Sequence, residues 1–124
     1  MIDFKNASFM KLKPVPDSDF AGMLQPMFLD DEQIIQTFRG IRDGVVFTNK
    51  RIFAINVQGI TGKKKDFTSL PYSKIQAFSV ETAGTFDLDS ELELWFSGLG
   101  LAKFEFVSNA DVSRICRMIS EKVL

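Results

Sequence analysis

Histidine is missing from this sequence of 124 residues, and cysteine occurs once, as Cys116. The lack of histidine removes the commonest general base and the commonest metal ligand, which argues against an enzyme. A single cysteine excludes a disulfide framework or a thiolate metal site within the chain. We therefore expect a protein without metal or cofactor that works in a reducing compartment, the cytoplasm.

Net charge and long apolar segments are also lacking. Fifteen basic side chains stand against sixteen acidic ones, so there is no long-range positive field of the kind that attracts nucleic acid. No segment approaches the roughly 20 apolar residues needed to span a bilayer, and the N-terminus lacks the apolar core of a secretory signal. We expect no nucleic-acid partner and no membrane-spanning segment.

Phenylalanine is abundant instead, with thirteen copies, and 45% of the residues are apolar. This content is enough for one hydrophobic core, and aromatic residues favour strands, so we predict a single, mainly β domain. Residues 1–31 are predicted to form a helical lead-in that belongs to the same domain as residues 32–124. In this lead-in, Asp17 or Ser18 can cap a short helix through Leu24, and Pro26 limits its continuation.

Short apolar segments alternate with turn signals from residue 32 onward, as is typical of an antiparallel sheet. Seven strands are predicted, at Gln33–Ile41, Val45–Thr48, Arg51–Val57, Lys65–Leu70, Ile75–Ala83, Phe86–Phe96 and Leu101–Val107. The sixth strand has the clearest alternation, with an apolar face formed by Phe86, Leu88, Leu92, Leu94 and Phe96. Its other face carries Asp87, Asp89, Glu91, Glu93 and Trp95.

The C-terminal segment changes to a helical period. An apolar stripe is formed by Val112, Ile115, Cys116, Ile119 and Val123. Ser108 and Asp111 resemble a capping box with Asp in place of Glu. We predict an amphipathic helix that packs over the sheet, with Cys116 as an inert core thiol.

The acidic face of the sixth strand permits two interpretations. A pair of its carboxylates could serve glycoside hydrolysis, but residues that alternate along one strand face are typical of a solvated surface. The segment from Asp87 to Glu91 also superficially resembles a calcium loop. It lacks the glycine at the sixth position, and Gly98 stands where the closing glutamate belongs.

The lysine triplet Lys63, Lys64 and Lys65 follows two glycines in the stretch QGITGKKK. A phosphate-binding P-loop needs GxxxxGK[ST] before a helix, whereas a strand-like segment follows here, so we predict a hairpin loop. The triplet then either contacts anions such as lipid headgroups or is a solvated turn. Trp95 is also open to two interpretations: an exposed anchor at a protein interface, or part of a second core under the N-terminal helix.

Several short motifs occur in a characteristic order: TNKR at residues 48–51, QGITGKK at 58–64, PYSKI at 71–75 and VETAG at 80–84. This arrangement, from about Leu29 to the C-terminus, resembles the bacterial pleckstrin-homology-like (PH-like) domain family. The resemblance implies a mainly β (α+β) fold, a seven-stranded antiparallel barrel of two orthogonal sheets capped by a C-terminal helix. It also implies a non-enzymatic module that assembles into a cyclic ring, with a hydrophilic surface where strands of neighbouring protomers meet.

Two functions follow as expectations. The first is a scaffold that forms a homo-oligomeric ring, a pentamer by the resemblance, and presents a polar surface to a protein partner. The candidate surface residues are Thr48, Asn49, Lys50, Arg51, Gln58, Thr61, Asp87, Asp89, Glu91, Glu93 and Trp95. The alternative is a peripheral module that binds anionic lipid headgroups through Lys63, Lys64 and Lys65, although three lysines alone give only weak membrane binding.

Overall fold

The computed structural model describes residues 1–4, 7–58, 60–81, 89–107 and 110–124. Its helices and strands are β1 (Ala7–Pro14), α1 (Ser18–Leu24), β2 (Ile34–Arg39), β3 (Gly44–Thr48), β4 (Arg51–Gln58), β5 (Lys64–Pro71), β6 (Ile75–Glu81), β7 (Ser90–Phe96), β8 (Gly100–Phe106) and α2 (Val112–Val123). Single 3-10 turns follow α1 at Gln25–Met27 and precede β6 at Tyr72–Lys74. The seven predicted strands and both predicted helices are confirmed. The predicted strand segments at 82–83 and 86–88, and the capping residue Ser108, lie outside the described residues.

The strands form one curled sheet, a half-barrel, in the order β5, β4, β3, β2, β1, β8, β7, β6. The pairs are antiparallel except for β1 with β8, which run parallel. Because β1 bonds to both β2 and β8, the two predicted sheets are joined into a single eight-stranded one. Strands β5 and β6 are left at its two ends.

Strand β1 is the element that the sequence interpretation missed, because residues 1–31 were assigned to a helical lead-in. Phe9 and Leu12 both point into the core although they are three residues apart, which breaks the period of two. The register with β8 shifts between them, and Lys11 in this bulge has a φ of 55°. A bulge of this kind hides a strand from pattern analysis.

The N-terminal helix α1 covers the outer face of the β3 and β4 strands. Phe20 and Leu24 form an apolar cluster there with Val46, Phe53 and Ile55. Gly44 makes this contact possible, since a Cβ atom at that position would lie 2.3 Å from the Phe20 ring. Asp17 precedes α1 as predicted, but its carboxylate accepts a hydrogen bond from the Thr37 hydroxyl at 2.9 Å and makes no side-chain cap.

The C-terminal helix α2 closes the main core inside the half-barrel. Val112, Ile115 and Ile119 are buried against side chains such as Phe38, Phe104 and Phe106, as predicted. Asp111 caps the helix by accepting a hydrogen bond from the Arg114 amide at 3.1 Å. Cys116 is only half-buried, so the prediction of a core thiol is wrong: the residue lies at the flank of the stripe.

The two halves of the sheet are therefore covered differently. β3 is buried along its whole length because α1 lies outside it and the main core inside. β7 alternates between buried and accessible residues, since no described element covers its outer face. Among the described residues, no helix is long and apolar enough to cross a membrane.

Candidate interaction surface

The TNKR motif forms an internal clamp. The Thr48 hydroxyl is fully buried, donates to Glu32 Oε2 at 2.7 Å, and accepts hydrogen bonds from the amides of Lys50 and Arg51 at 3.1 and 3.0 Å. Asn49 accepts from the Gln33 amide at 2.7 Å and donates to a backbone carbonyl of the same segment. The motif thus fastens the segment before β2 onto the β3–β4 hairpin.

Arg51 and Glu32 form the centre of this clamp. Arg51 Nε lies 3.0 Å from Glu32 Oε2 and Nη2 lies 2.7 Å from Oε1, a bidentate pair. The guanidinium also donates to the Met27 carbonyl at 2.8 Å and lies 4.4 Å from the centre of the Phe53 ring. Hydrogen bonds from Arg51, and then from Thr48, lower the pKa of Glu32 to about 2 against the opposing effect of burial. Thr48 is therefore not at the surface, and Arg51 is engaged internally.

The lysine triplet lies at the free edge of the sheet. Lys63 precedes β5, and Lys64 and Lys65 are its first two residues, so the side chains of these two point to opposite faces. Gln58 pairs with Lys64 across the hairpin, and the exposed Thr61 lies in the turn between the strands. Lys64 and Lys65 therefore do not converge on one site. Lysine on an edge strand prevents pairing with other chains, which explains the triplet without a ligand.

Substituting Ala for Lys63, Lys64 and Lys65 together is expected to leave the melting temperature nearly unchanged, because the three side chains are exposed. Liposome co-sedimentation should show no headgroup-selective binding before or after the change. Aggregation should be faster, since the edge of β5 loses its charges. Strong binding to anionic vesicles that disappears in this variant would restore the lipid hypothesis.

The outer side of β6, β7 and β8, which no element in the described part of the chain covers, brings together residues that are distant in sequence. Strand register aligns three rows across it, and we call this surface the outer face. The first row is Ala77, Trp95 and Leu101, the second is Ser79, Glu93 and Lys103, and the third is Glu81, Glu91 and Glu105. One end of the outer face is thus apolar and the other acidic.

The acidic end is only partly neutralised. Lys103 Nζ lies 2.9 Å from Glu91 Oε1, and this hydrogen bond raises the pKa of the lysine, helped by the charges of Glu93 and Glu81. The outer face holds four glutamates and this one lysine. The described part of the chain contains no group of three acidic, cysteine or histidine side chains placed to hold a metal ion.

Trp95 is the largest exposed side chain at the apolar end, with 47% of its surface accessible. It borders an open groove of about 330 Å³ whose other lining residues are Ala77, Phe78, Ser79, Glu93 and Leu101. Of the two interpretations of Trp95, the second core under the N-terminal helix is wrong, because α1 packs on Val46 and Phe53 instead. Exposure at the surface is confirmed.

The predicted surface residues thus fall into separate groups. Glu91, Glu93 and Trp95 lie together on the outer face, and Asp89 is exposed just before β7. Asp87 lies outside the described residues. Sequence reasoning missed Glu81, Lys103 and Glu105, although each alternates with inward-pointing apolar residues on its own strand. That alternation was the available signal, but only the register shows that they meet.

The sequence and the fold of this chain are similar to those of known proteins. The family model of the bacterial PH domain matches residues 3–123. YjqA of Bacillus subtilis strain 168 is 53% identical over 78 residues, which cover 63% of this chain and 62% of YjqA, less than two thirds of that protein. YozO of the same organism is 30% identical over 90% of this chain and 96% of its own length.

A solved structure shows the same fold in a similar sequence. The DUF1696 family protein with a pleckstrin-homology domain from Shewanella loihica PV-4 is 43% identical, with a TM-score of 0.81, and the match covers 93% of this chain and 99% of that one. The pleckstrin homology domain from Shewanella amazonensis SB2B is 41% identical with a TM-score of 0.67, over 89% and 90% of the two chains. The chain therefore belongs to the bacterial PH domain family.

Proposed function

We propose that this chain is a non-enzymatic interaction module of the cytoplasm that forms a homo-oligomeric ring, a pentamer, and presents a polar surface to a protein partner. The observation that carries the proposal is the outer face of β6, β7 and β8. It combines an exposed tryptophan with a row of acidic side chains, whereas α1 covers the outer side of β3 and β4. Exposed aromatic residues of this size anchor protein interfaces.

The carboxylates of the outer face are accessible to solvent, which supports recognition of a partner rather than catalysis. Glu81 is exposed, and Glu91, Glu93 and Glu105 are half-exposed, so water can reach and screen them. Acid–base catalysis favours carboxylates whose pKa is shifted by burial in a cleft. The outer face is instead an open sheet surface.

Self-assembly is supported by exposed apolar side chains at two other places. Met10 and Ile41 line a shallow depression between the β1 bulge and the β2–β3 turn. Leu29 is exposed beside Phe28 on the segment before β2. A head-to-tail contact joins two different surfaces of one protomer and closes into a ring when the rotation is suitable. These two patches are proposed as the two sides of that contact, which leaves the outer face free for a partner.

Replacing Ile41 by Glu is expected to convert the ring into monomers of about 14 kDa without a change in melting temperature, since this side chain is 85% exposed. Light scattering at micromolar concentration measures the mass. Ile60, which is 103% exposed in the β4–β5 turn, provides the matched control, and Ile60→Glu should keep the ring. A 14 kDa particle for the unaltered protein would refute the ring.

Repetition of the outer face around a ring would increase the strength of partner binding. A partner that contacts two protomers gains an effective concentration in the millimolar range for its second contact when the connection is short and flexible. Weak single contacts on an open sheet surface are then sufficient. The ring and the polar surface are therefore parts of the same proposed function.

A further inference from the structure

We propose that the free edge of β6 binds an extended segment of the partner protein as an added strand. The segment carries a cationic and an apolar side chain four residues apart. This inference rests on the proposed function, because it names the chemistry of the partner that the outer face receives. Three observations support it: the two edges of the sheet differ in sequence, a groove lies beside Trp95, and Glu81 places a negative charge at the edge.

The two edges of the sheet are protected differently. β5 begins with Lys64 and Lys65 and ends with Pro71, and both lysine and proline on an edge strand hinder the addition of another chain. β6 contains neither lysine nor proline between Ile75 and Glu81. The sequence of β5 closes its edge to strand addition, whereas β6 from Ile75 to Glu81 carries no such protection.

Most residues of β6 are accessible to a partner chain. Gln76, Ala77, Ser79 and Glu81 are exposed, and no strand among the described residues pairs with the side of β6 that faces away from β7. From Ala77 to Glu81 the pairing with β7 is regular, so the outward N–H and C=O groups follow the ordinary spacing of a strand. An added strand could form main-chain hydrogen bonds along this stretch.

The apolar position is set by Ala77 and Trp95. These two residues are direct neighbours across β6 and β7, and Ala77 is too small to screen the indole from the edge. The resulting groove is open beside Trp95, Phe78 and Leu101. A leucine or larger apolar side chain of an added strand, placed next to Ala77, would cover the exposed indole.

The cationic position is set by Glu81, four residues further along β6 and about 13 Å away at the usual rise of a strand. Glu81 and Glu91 are direct neighbours, and Lys103 hydrogen-bonds Glu91, so Glu81 is the carboxylate of this row nearest to the edge. A lysine or arginine of the added strand would lie opposite it. A second copy of β6 would instead bring acidic side chains to the same edge, and like charges repel. The added strand therefore comes from a different protein.

Synthetic peptides test this proposal directly. Seven-residue capped peptides of Thr and Val carry one Leu and one Lys four positions apart, in either order, to allow parallel or antiparallel addition. Trp95 is the sole tryptophan of the chain, so its fluorescence reports binding at the groove. One of the two orders is expected to give saturable binding, and a Glu in place of the Lys should weaken it about tenfold.

Reversing the charge at Glu81 distinguishes loss of a specific peptide contact from a general loss of structure. Glu81→Lys should weaken binding of the Lys peptide about tenfold and make the Glu peptide the better ligand, whereas Glu121→Lys on the exposed face of α2 should change neither. Backbone N-methylation is made separately at each of the two alternating sets of peptide positions, and the set whose N–H groups face β6 should abolish binding. No saturable change with either order, equal binding of the Lys and Glu peptides, or unaltered binding after N-methylation of both sets would each overturn the proposal.

The test does not depend on the ring. The same titrations are performed on the unaltered protein and on Ile41→Glu. Equal binding per chain by both would support the added strand whether or not the protein assembles. A ring that fails to bind either peptide overturns this inference and leaves self-assembly intact, whereas a monomer that binds overturns only the ring.

Discussion

Replacing Ile119 by Asp is expected to unfold most of the protein at 25 °C. Ile119 is fully buried in the main core, on the α2 face that closes the half-barrel. A carboxylate there lacks a partner and must either stay charged in an apolar site or take up a proton, and it also loses the packing of the isoleucine. The cost of several kcal/mol is comparable to the whole stability of a small domain, about 5–15 kcal/mol. Urea denaturation followed by circular dichroism measures it.

A substitution at an exposed position of the same helix is the matched control. Ser113 is exposed in the first turn of α2, where a negative charge interacts favourably with the helix dipole. Ser113→Asp is therefore expected to change the stability by less than about 0.5 kcal/mol. Equal denaturation midpoints for Ile119→Asp and the unaltered protein would show that α2 does not close the core.

The local sequence pattern was sufficient to predict β2 to β8 and the terminal helix, but not β1. β7 and β8 each have one solvent-exposed face, so buried apolar residues alternate with accessible ones along them. The change to a helical period at Val112 is equally clear. β3 and β4 are buried on both faces where α1 covers them, and their short apolar runs were still bounded by good turn residues. Some of the thirteen phenylalanines are used in this second cluster under α1, including Phe20 and Phe53.

Features that depend on long-range contacts were not predictable from the same patterns. The bulge at Lys11 interrupts the alternation of β1, and its parallel partner β8 lies more than 90 residues later in the chain. The role of Thr48 depends on the buried carboxylate of Glu32, which the sequence shows only as one acid in an acidic stretch. A polar motif such as TNKR has the same composition whether it is exposed or buried, so the sequence alone does not distinguish the two.

The candidate surface was predicted only in part, because its composition also depends on long-range strand pairing. Glu91, Glu93 and Trp95 were found because they alternate along one strand. The carboxylates of Glu81 and Glu105 join them only through the register of three strands. Local alternation identifies which residues face outward, and strand pairing decides which of them form one surface.

Replacing Glu32 by Gln is expected to lower the stability at neutral pH by about 3 kcal/mol and to remove most of the loss of stability between pH 4.5 and 2. In the folded protein, the Arg51 and Thr48 hydrogen bonds hold the pKa of Glu32 at about 2, below its ordinary value of 4.5. A carboxyl with a depressed pKa contributes its stabilisation fully above the unfolded value and loses it as pH falls towards the folded value. A shift of this size corresponds to about 3 kcal/mol, and the Glu32 side chain is fully buried, so solvent screening is small.

Urea denaturation at a series of pH values from 7 down to 2.5 measures this contribution. The neighbouring pair of Lys50 and Asp31 is the matched control: its atoms lie 2.8 Å apart, but the Asp31 side chain is 72% exposed, so Asp31→Asn should leave the midpoint nearly unchanged. The double variant Glu32→Gln with Arg51→Met should be more stable than Glu32→Gln alone, because removing one partner leaves a poorly solvated charge that removing both does not. If Glu32→Gln and Asp31→Asn have the same midpoint at pH 7, the clamp contributes no more than an exposed ion pair. If the double variant is no more stable than the single one, the cost comes from lost packing and not from the uncompensated guanidinium.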